Sequence, residues 1–430
     1  MKTFNSEKIN DDIIKALVDL YYETPTEIQQ KVIPIALKGK DILGTAQSGS
    51  GKTAAFLIPI LEELSKKTVN ANPLKVVILT PTRELAKQIL KAIDDYSKYL
   101  INIKRAVVFG GVSAKDQIRK FDNGVDIVVA TPGRLNEHIR NNTINMAAVS
   151  TLVVDEVDTM LAMGFLEDIE KIFAKAHPKR QILMFSATLN QNVKRLAKEF
   201  LDKPAVVEVV DQRSSVDLIN QQIVLVDDKK KAEVLSYLIG SKNYESVLVF
   251  VNTKKQADLL VEHLELDGLK AACIHGDIRQ TARAKALRKL KENQIKVLVA
   301  TDIAARGIDI EKLPVVINYA LPQSITDYTH RIGRTGRAGN LGEAVTLLCV
   351  RDYPMMAAIE KELIIEIPRE TIDGFELEEK QPRKVIPKVK AHEFRKKNHE
   401  KKEPPKKKTK LTTLKKRKTT KRDGRTSNKK

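Results

Sequence analysis

The chain has 430 residues, of which 42% are hydrophobic and 30% are charged, so it can form two or three domains with sizeable cores. No apolar run reaches the roughly 18 residues of a membrane span, and the first residues, "MKTFNSEKIN", lack the apolar segment of a signal peptide. We therefore expect neither a membrane protein nor a secreted one. Cys273 and Cys349 are far apart and flanked by apolar residues, which predicts buried, reduced thiols in the cytoplasm.

The net charge of +20 is concentrated at the C-terminus. Residues 381–430 contain 22 of the 75 Lys and Arg residues and only 4 of the 55 Asp and Glu residues. The other 380 residues carry a net charge of only +2. Such a polycation repels itself and cannot bury apolar surface, so residues 381–430 are predicted to be a disordered tail that binds an anionic polymer or surface.

The first predicted element is the strand, loop and helix start in "DILGTAQSGSGKTAAF" (41–56). Small loop residues let backbone N–H groups face phosphate oxygens, and the helix N-terminus adds partial positive charge. Lys52 would reach the β and γ phosphates of a nucleotide, and the Thr53 hydroxyl would bind Mg²⁺. Ala46 stands where the strict motif has Gly, but the position after a strand and before an apolar helix favours a nucleotide site over a structural turn. The small loop residues are Ser48, Gly49, Ser50 and Gly51.

Short apolar runs alternate with helical patterns through the rest of the body. Continuous apolar strands alternating with helices indicate a parallel sheet covered on both faces, so the predicted fold class is α/β. Nearly every predicted strand ends in Thr, Ser, Asp or Glu, and ligands in such folds lie beyond the carboxyl ends of strands. A continuous ligand-binding edge is therefore expected. The predicted strands are 76–80, 126–131, 152–156, 182–188, 247–253, 296–301 and 314–320.

Three acidic residues surround one valine in "VVDEVDTML" (153–161). At a strand end, Asp155 would hold Mg²⁺ and Glu156 would orient or deprotonate the attacking water. Acidic turns are common after strands, but the phosphate loop about a hundred residues upstream favours the catalytic interpretation.

The strand pattern occurs twice, since "VVILTPTREL" resembles "VLVFVNTKKQ" and "DIVVATPGRL" resembles "VLVATDIAAR". The polar stretch 209–220 is predicted to be a linker. We expect two similar α/β domains, 1–208 and 218–370. The second has no phosphate loop, but "HRIGRTGR" (330–337) contains three arginines among glycines, a pattern suited to stabilising charge on a transferred phosphoryl group. The two domains are therefore expected to share one ATP and to close for hydrolysis.

Taken in order, these segments resemble the DEAD-box RNA helicases, a family with two tandem RecA-like domains, over about residues 4–375. The end of this region, "IPRETIDGFE" (367–376), resembles the bacterial RhlE type. Near the start, "YYETPTEIQ" (21–29) resembles the adenine-reading Q motif, with Phe4 as its upstream aromatic. The resemblance implies that Gln29 reads adenine with its amide and that Tyr22 stacks on the base.

The resemblance also assigns roles along both domains. It implies that Asp309 binds the ATP ribose and that Arg334 and Arg337 bind the γ-phosphate. The residues expected to couple ATP state to RNA are Asp158, Ser186, Thr188 and His330. The residues expected to hold the RNA sugar-phosphate backbone are Arg83, Gly111, Arg134, Thr253, Gly276, Arg283 and Thr301.

Four positions depart from the family pattern. Val157 replaces the alanine of the family name, which we interpret as a neutral packing change at a strand end. Ser48 replaces a threonine but keeps a hydroxyl, and Tyr21 stands where the family usually has Gly. Ala320 departs from the common "NYDLP", so a polar contact between the domains is expected to be missing.

The resemblance implies an ATP- and Mg²⁺-dependent, RNA-stimulated enzyme that holds RNA by its backbone and unwinds or remodels short duplexes locally. An ATP-gated RNA clamp with little unwinding stays open, because it needs the same motifs. A DNA translocase is disfavoured by the Q motif. We expect a cytoplasmic monomer whose partner is RNA, with the ribosome or the RNA-degradation machinery as open alternatives for its context and with no membrane association.

Overall fold

The computed structural model describes residues 4, 9–47, 49–66, 74–119, 121, 124–209, 219–305, 313–336 and 342–378. Residues Met1–Gln381 belong to one compact unit. The predicted tail 381–430 lies outside the described residues, as do Ser48, Asp309 and Arg337. Within the described ranges, no helix is both long and apolar enough to cross a bilayer.

The first half alternates strands and helices. Its elements are α1 (Asp11–Asp19), α2 (Glu27–Ala36), β1 (Ile42–Thr45), α3 (Lys52–Ser65), β2 (Val76–Leu79), α4 (Arg83–Tyr96), β3 (Arg105–Val108), α5 (Ala114–Ile118), β4 (Ile127–Ala130), α6 (Pro132–Arg140), β5 (Thr151–Val154), α7 (Val157–Ala162), α8 (Leu166–Lys175), β6 (Gln181–Ser186), α9 (Gln191–Phe200) and β7 (Ala205–Glu208).

The second half repeats this alternation. Its elements are β8 (Ile219–Leu225), α10 (Lys231–Ser241), β9 (Val247–Val251), α11 (Lys254–Leu266), β10 (Ala271–Ile274), α12 (Gln280–Lys291), β11 (Val297–Thr301), α13 (Asp302–Ala305), β12 (Val315–Asn318), α14 (Ile325–Ile332), β13 (Gly342–Leu348), α15 (Tyr353–Leu363) and β14 (Arg369–Glu370).

Each half forms a seven-stranded parallel sheet, as tandem RecA-like domains do. The strand order is β3-β4-β2-β5-β6-β1-β7 in the first sheet and β10-β11-β9-β12-β13-β8-β14 in the second. The second order is the first with seven added to each strand number. The internal repeat predicted from the sequence is therefore confirmed, because β2 and β9 occupy the same place, and so do β4 and β11.

The central strands form because both of their faces are buried. In β2, Val76 and Ile78 pack into the core on one side of the sheet, and Val77 and Leu79 pack into the core on the other. β9 alternates in the same way between two cores of the second half. Since successive side chains of a strand point to opposite faces, an unbroken apolar run is what a sheet covered by helices requires.

All seven predicted strands are present, with ends that differ from the prediction by no more than two residues. The linker prediction is wrong at its end, because Ile219 and Asn220 already belong to β8. Residues 210–218 lie outside the described part of the chain. The thiol prediction is correct for Cys349, which is buried, and wrong for Cys273, which is partly exposed on the edge strand β10.

Candidate nucleotide site and RNA-facing edge

The phosphate loop joins β1 to α3, and its last residue needs to be glycine. Gly51 has a φ of 95°, in the left-handed region, and caps the N-terminus of α3. A Cβ atom at Gly51 would lie 2.5 Å from Nε2 of Gln29 and 2.8 Å from Oγ1 of Thr26. The loop is therefore packed directly against the segment that resembles the Q motif.

Lys52 is the first residue of α3 and is buried. Its ammonium group donates a hydrogen bond to the Ala46 carbonyl, at 2.8 Å, so the lysine is held across the loop. The Ala46 N–H donates to the Ser186 carbonyl at the end of β6, at 3.2 Å. Ala46 thus connects the phosphate loop to the end of the neighbouring strand, although the strict motif has glycine at this position.

The second half has a lysine in the equivalent place. Lys231 begins α10 after β8, just as Lys52 begins α3 after β1. Lys231 is buried, donates to the Tyr319 carbonyl at 3.0 Å and lies 3.5 Å from a carboxylate oxygen of Asp352. Groups of the chain itself therefore satisfy this lysine. That agrees with a phosphate loop in the first half alone.

The Gln29 side chain contacts Gly51, the last residue of the phosphate loop. Its amide oxygen accepts from the Thr26 N–H at 2.9 Å, and its amide nitrogen donates to the Gly51 carbonyl at 3.1 Å. An amide group has one further donor and one further lone pair, which are what Gln29 can offer to adenine. Tyr22 lines the cleft beside it, with its hydroxyl 3.3 Å from that of Tyr96.

The acidic residues follow β5. Asp155 is almost fully buried, and burial raises the pKa of its carboxyl to about 6, with the Glu156 charge acting in the same direction and Lys52 opposing it. Glu156 adopts the left-handed conformation, with φ 54° and ψ 51°, and caps the short helix α7. A non-glycine residue in this conformation costs roughly 1–2 kcal/mol, which is the kind of strain found at functional sites.

Thr53 and Asp155 offer oxygen ligands on the same cleft. A hydroxyl and a buried carboxylate that is costly to ionise suit a hard cation such as Mg²⁺. The residues present therefore fit the metal expected from the sequence.

The cleft brings together side chains from both halves of the chain. It has a volume of about 340 Å³ and is lined by Lys52, Thr53, Asp155 and Glu156 of the first half and by Arg334 of the second. Gly49 and Gly51 line it as well, whereas Gln29 is not among its lining residues. The sequence predicts that Arg334 binds the γ-phosphate, and Arg334 lies in this cleft beside the residues of the first half.

The third acidic residue, Asp158, is bonded to the segment after β6. One oxygen of its carboxylate accepts from both the N–H and the hydroxyl of Thr188, each at 3.0 Å. Ser186 donates its hydroxyl to the Thr188 carbonyl at 2.7 Å, so it reaches Asp158 only through Thr188. His330 lies on α14, partly exposed.

Val157 is the first residue of α7, so its predicted place at a strand end is wrong. Its side chain is completely buried in the core beneath α7. The position is therefore a packing position, as the sequence indicated, but within a helix.

The residues predicted to face RNA follow the same three strands in each half. Arg83, Gly111 and Arg134 follow β2, β3 and β4 of the first sheet. Thr253 and Gly276 follow β9 and β10 of the second, and Thr301 ends β11. Because parallel strands end at one edge, the structure places each set of three side by side.

Two of these positions show how tightly the first edge is built. A Cβ atom at Gly111, whose φ is 76°, would collide with the guanidinium of Arg83, so only glycine lets this arginine cross the loop. Arg134 donates to the Val112 carbonyl at 3.2 Å. Both guanidinium groups are therefore held at the sheet edge by the loop after β3.

The sequence did not identify a contact that joins the two halves at this edge. Glu84, the second residue of α4, accepts from the Gln280 amide at 2.9 Å and forms an ion pair with Arg283 at 3.2 Å. Arg283 was expected to bind RNA alone. The only sequence signal was the acidic residue after Arg83, a common feature of a helix first turn.

The three arginines of 330–337 do not share one role. Arg331 is 99% buried and donates to both carboxylate oxygens of Asp302, at 2.6 and 2.8 Å. It also donates to the Asn252 side chain at 3.0 Å and to the Ala320 carbonyl at 2.5 Å. Arg331 therefore fixes the carboxyl ends of three strands, and the backbone of Ala320 takes part although its side chain cannot.

Comparisons with known proteins agree with this architecture. Residues 26–196 match the DEAD/DEAH box helicase family, and residues 230–339 match the helicase conserved C-terminal domain. The DEAD-box ATP-dependent RNA helicase CshA of Bacillus subtilis is 42% identical over 362 residues, which is 84% of this chain and 72% of the relative. RhpA of Helicobacter pylori, with the same description, is 38% identical over 85% of this chain and 73% of its own length.

A solved structure extends the comparison to the fold. Dbp5 of Saccharomyces cerevisiae, bound to RNA and ADP BeF3, superimposes with a TM-score of 0.77 at 28% identity, over 87% of this chain and 96% of that one. The RhlE subtype suggested by residues 367–376 stays a prediction. With the two matched domains and relatives above 30% identity over most of their length, the chain belongs to the DEAD-box family of ATP-dependent RNA helicases.

Proposed function

We propose that the protein binds RNA by its sugar-phosphate backbone and uses ATP, bound between its two domains, to unwind or remodel short duplexes. The phosphates would contact the loop of Gly49–Gly51 and Lys52, with adenine against Tyr22 and Gln29. Mg²⁺, held by Thr53 and Asp155, supplies charge neutralisation when bound. Glu156 would orient the attacking water and accept its proton, and Arg334 would stabilise charge on the transferred phosphoryl group.

One observation carries this proposal. Lys52, Asp155 and Glu156 share a cleft with Arg334 of the other half, so the cleft is complete only when the halves are together. At the RNA-facing edge, Glu84 joins Gln280 and Arg283 across the same division. Closure around ATP and closure around RNA are therefore one rearrangement, and each ligand favours binding of the other.

The backbone contacts predict binding without sequence preference. The six positions at the two strand edges are arginine, threonine and glycine residues, which suit phosphate and sugar oxygens and offer no aromatic platform for base stacking. In the closed state these edges would impose one path on a single strand, and a duplex that cannot follow that path would separate locally.

The test is steady-state ATPase activity without polymer, with single-stranded RNA and with single-stranded DNA. RNA-stimulated turnover is expected, and a preference for DNA would overturn the proposal. Lys52→Ala and Glu156→Gln should abolish the stimulated turnover. Release of a short duplex with ATP, compared with a non-hydrolysable analogue, separates an enzyme that unwinds from an ATP-gated clamp, because a clamp releases little strand in either case.

We also propose that the domains follow the predicted boundaries, 1–208 and 218–370, and that the protein is a cytoplasmic monomer.

The basic tail, 381–430, would tether RNA near the core. Glu378, the last described residue, donates its N–H to Asp227 at 2.8 Å, just beyond the carboxyl end of β8 and so at the ligand-binding edge of the second sheet. Fifty residues of coil reach about 40 Å, at roughly 5–6 Å times the square root of length. Deleting 381–430 should weaken RNA affinity and its salt dependence.

A further inference from the structure

Helix α12 differs in charge from the rest of the body. Its twelve residues, "QTARAKALRKLK", contain five basic residues and no acidic one, whereas residues 1–380 as a whole are nearly neutral. Arg283, near its start, faces Glu84 of the first half. The other four basic residues, Lys285, Arg288, Lys289 and Lys291, have no assigned role, and we call them the α12 ridge.

The ridge lies on the outer face of the second half. Ala286 and Leu290 are buried and face the sheet. At 100° per residue, Arg288 points directly away from this buried side, Lys285 and Lys291 lie about 120° from it on either side, and Lys289 lies on the flank, about 80° from it. Lys285, Arg288 and Lys291 are exposed and Lys289 is half-buried. Glu292, which follows the helix, lies 3.8 Å from Arg288.

The helix starts at the RNA-facing edge. The loop that carries Gly276 leads directly from β10 into α12, and the first residue of α12, Gln280, contacts the first half. From there twelve residues extend about 18 Å towards the amino ends of the strands. With about 3.4 Å of helix axis per phosphate on one strand, the whole helix spans about five phosphates, and the ridge, from Lys285 to Lys291, spans about three.

The chemistry between the charges favours RNA over a protein partner. The exposed residues beside the ridge are Thr281, Ala282 and Ala284, which are small. A protein interface needs apolar or aromatic anchors at its centre, and this face has none. A phosphate backbone needs only spaced cations and room to approach.

Resting on the proposed function, we propose that the α12 ridge is a second RNA-binding surface. It holds, through phosphate contacts alone, the part of the RNA that continues beyond the strand edge of the second domain. The ridge thereby orients the flanking strand or duplex and adds affinity without adding sequence preference.

The test compares two triple variants of the full chain. K285Q/R288Q/K289Q removes two lysines and one arginine from the ridge, and K194Q/R195Q/K198Q removes the same set from exposed positions of α9 in the first half. Glutamine keeps helix propensity, and thermal melts check the folding of both variants. Affinity is measured for a short oligouridine that fills only the strand edges and for one long enough to add about five phosphates.

The ridge variant should bind the long oligouridine about tenfold more weakly at low salt. Its plot of log affinity against log salt should become less steep by about 2, at roughly 0.7 per phosphate contact. Short-oligouridine affinity and RNA-saturated ATPase turnover should be unchanged, and the α9 variant should match the wild type.

The proposal would be contradicted if the ridge variant kept the salt dependence of the wild type, or if the α9 variant lost as much affinity for the long oligouridine. A loss of poly-glutamate binding with RNA binding intact would contradict it as well, since that would indicate an acidic protein partner. The proposal would also be contradicted if the ridge variant lost as much affinity for the short oligouridine as for the long one. That result would mean that the ridge residues act at the strand edge. Absence of RNA-stimulated ATPase in the wild type would instead contradict the proposed function.

Discussion

Glu84 and Arg283, from different halves of the chain, form an ion pair of 3.2 Å in which the two side chains are only 10% and 12% exposed. Arg283 also donates to the Ala304 carbonyl at 3.0 Å. Within the described residues, its Nε and the Gln280 side-chain oxygen are buried without a partner. Both atoms lie beside the strand edges but are shielded in this structure, so an RNA backbone would reach them only after these side chains move. The pair is therefore placed to couple domain closure to RNA.

Replacing Glu84 by Gln should weaken RNA binding in the closed state. It leaves the Arg283 charge buried and unpaired only when the halves are together, and removing one partner of a buried pair costs about 3–5 kcal/mol. RNA affinity with a non-hydrolysable ATP analogue should fall at least about tenfold, while affinity without nucleotide changes little. Asp95→Asn, which breaks the exposed pair with Lys91 on the same helix, is the control. Equal RNA affinity in E84Q and wild type would show that the pair does not support closure.

Thr188→Val should separate ATP hydrolysis from unwinding. Valine keeps the backbone N–H bond to Asp158 but loses the hydroxyl bond to the same carboxylate oxygen. A hydrogen bond to a charged group contributes about 1.5–3 kcal/mol, enough to change how closely the two segments move together. We expect the rate of duplex release per ATP hydrolysed to fall about tenfold or more. Thr188→Ser keeps the hydroxyl and should restore the ratio, and a serine variant as defective as the valine one would exclude this bond.

Asp155 makes the nucleotide-free protein less stable at neutral pH. Its pKa is about 6 in the folded state and 3.8 ordinarily, so the folded state binds the proton more tightly. The stability that this proton contributes is full below pH 3.8 and is lost as the pH rises through about 6. Asp155→Asn should therefore raise the free energy of unfolding by about 1–3 kcal/mol at pH 7.5 and by roughly half as much at pH 5. Thermal melts at the two pH values test this, and an equal gain at both would contradict it.

Val157→Ala should affect stability rather than activity. The Val157 side chain is completely buried, and removing two methyl groups costs about 1.6 kcal/mol, at about 0.8 per buried carbon, plus a cavity term. Urea unfolding of the first domain should shift accordingly, while RNA-stimulated kcat stays within about twofold. A large loss of turnover or of RNA stimulation at full folding would show that valine at this position tunes the chemistry.

The central strands were predictable because they are apolar on both faces, as in 76–79 and 247–251. Of the missed strands, β13 carries the same apolar signal, whereas β3, β8 and β10 lack it. β3 and β10 are edge strands of four residues, one starting with arginine and the other containing two alanines. β8 starts with the polar run "INQQ" and was partly taken for a linker. Pairing with neighbours from distant parts of the chain makes these segments strands, which a local pattern does not reveal.

At the site, the groups that touch phosphate or metal follow local rules of spacing, so Lys52, Asp155 and Glu156 could be named from the sequence. The contacts between halves could not. Glu84 and Arg283 are about two hundred residues apart, and nothing local distinguishes Glu84 from other acidic residues in helix first turns. Arg331 was grouped with its neighbours for the same reason, since burial against Asp302 is a tertiary property.

The central claim is that one ATP is shared between the halves, with Arg334 acting on the cleft of the first. The most direct measurement is RNA-stimulated ATPase activity of Arg334→Ala, beside binding of a fluorescent ATP analogue to the same protein. Removing an arginine that stabilises the transferred phosphoryl group costs about 10³-fold or more in turnover, while ground-state binding depends mainly on the first half. We predict loss of stimulated hydrolysis with analogue affinity within about threefold of wild type. Turnover close to wild type would contradict the account.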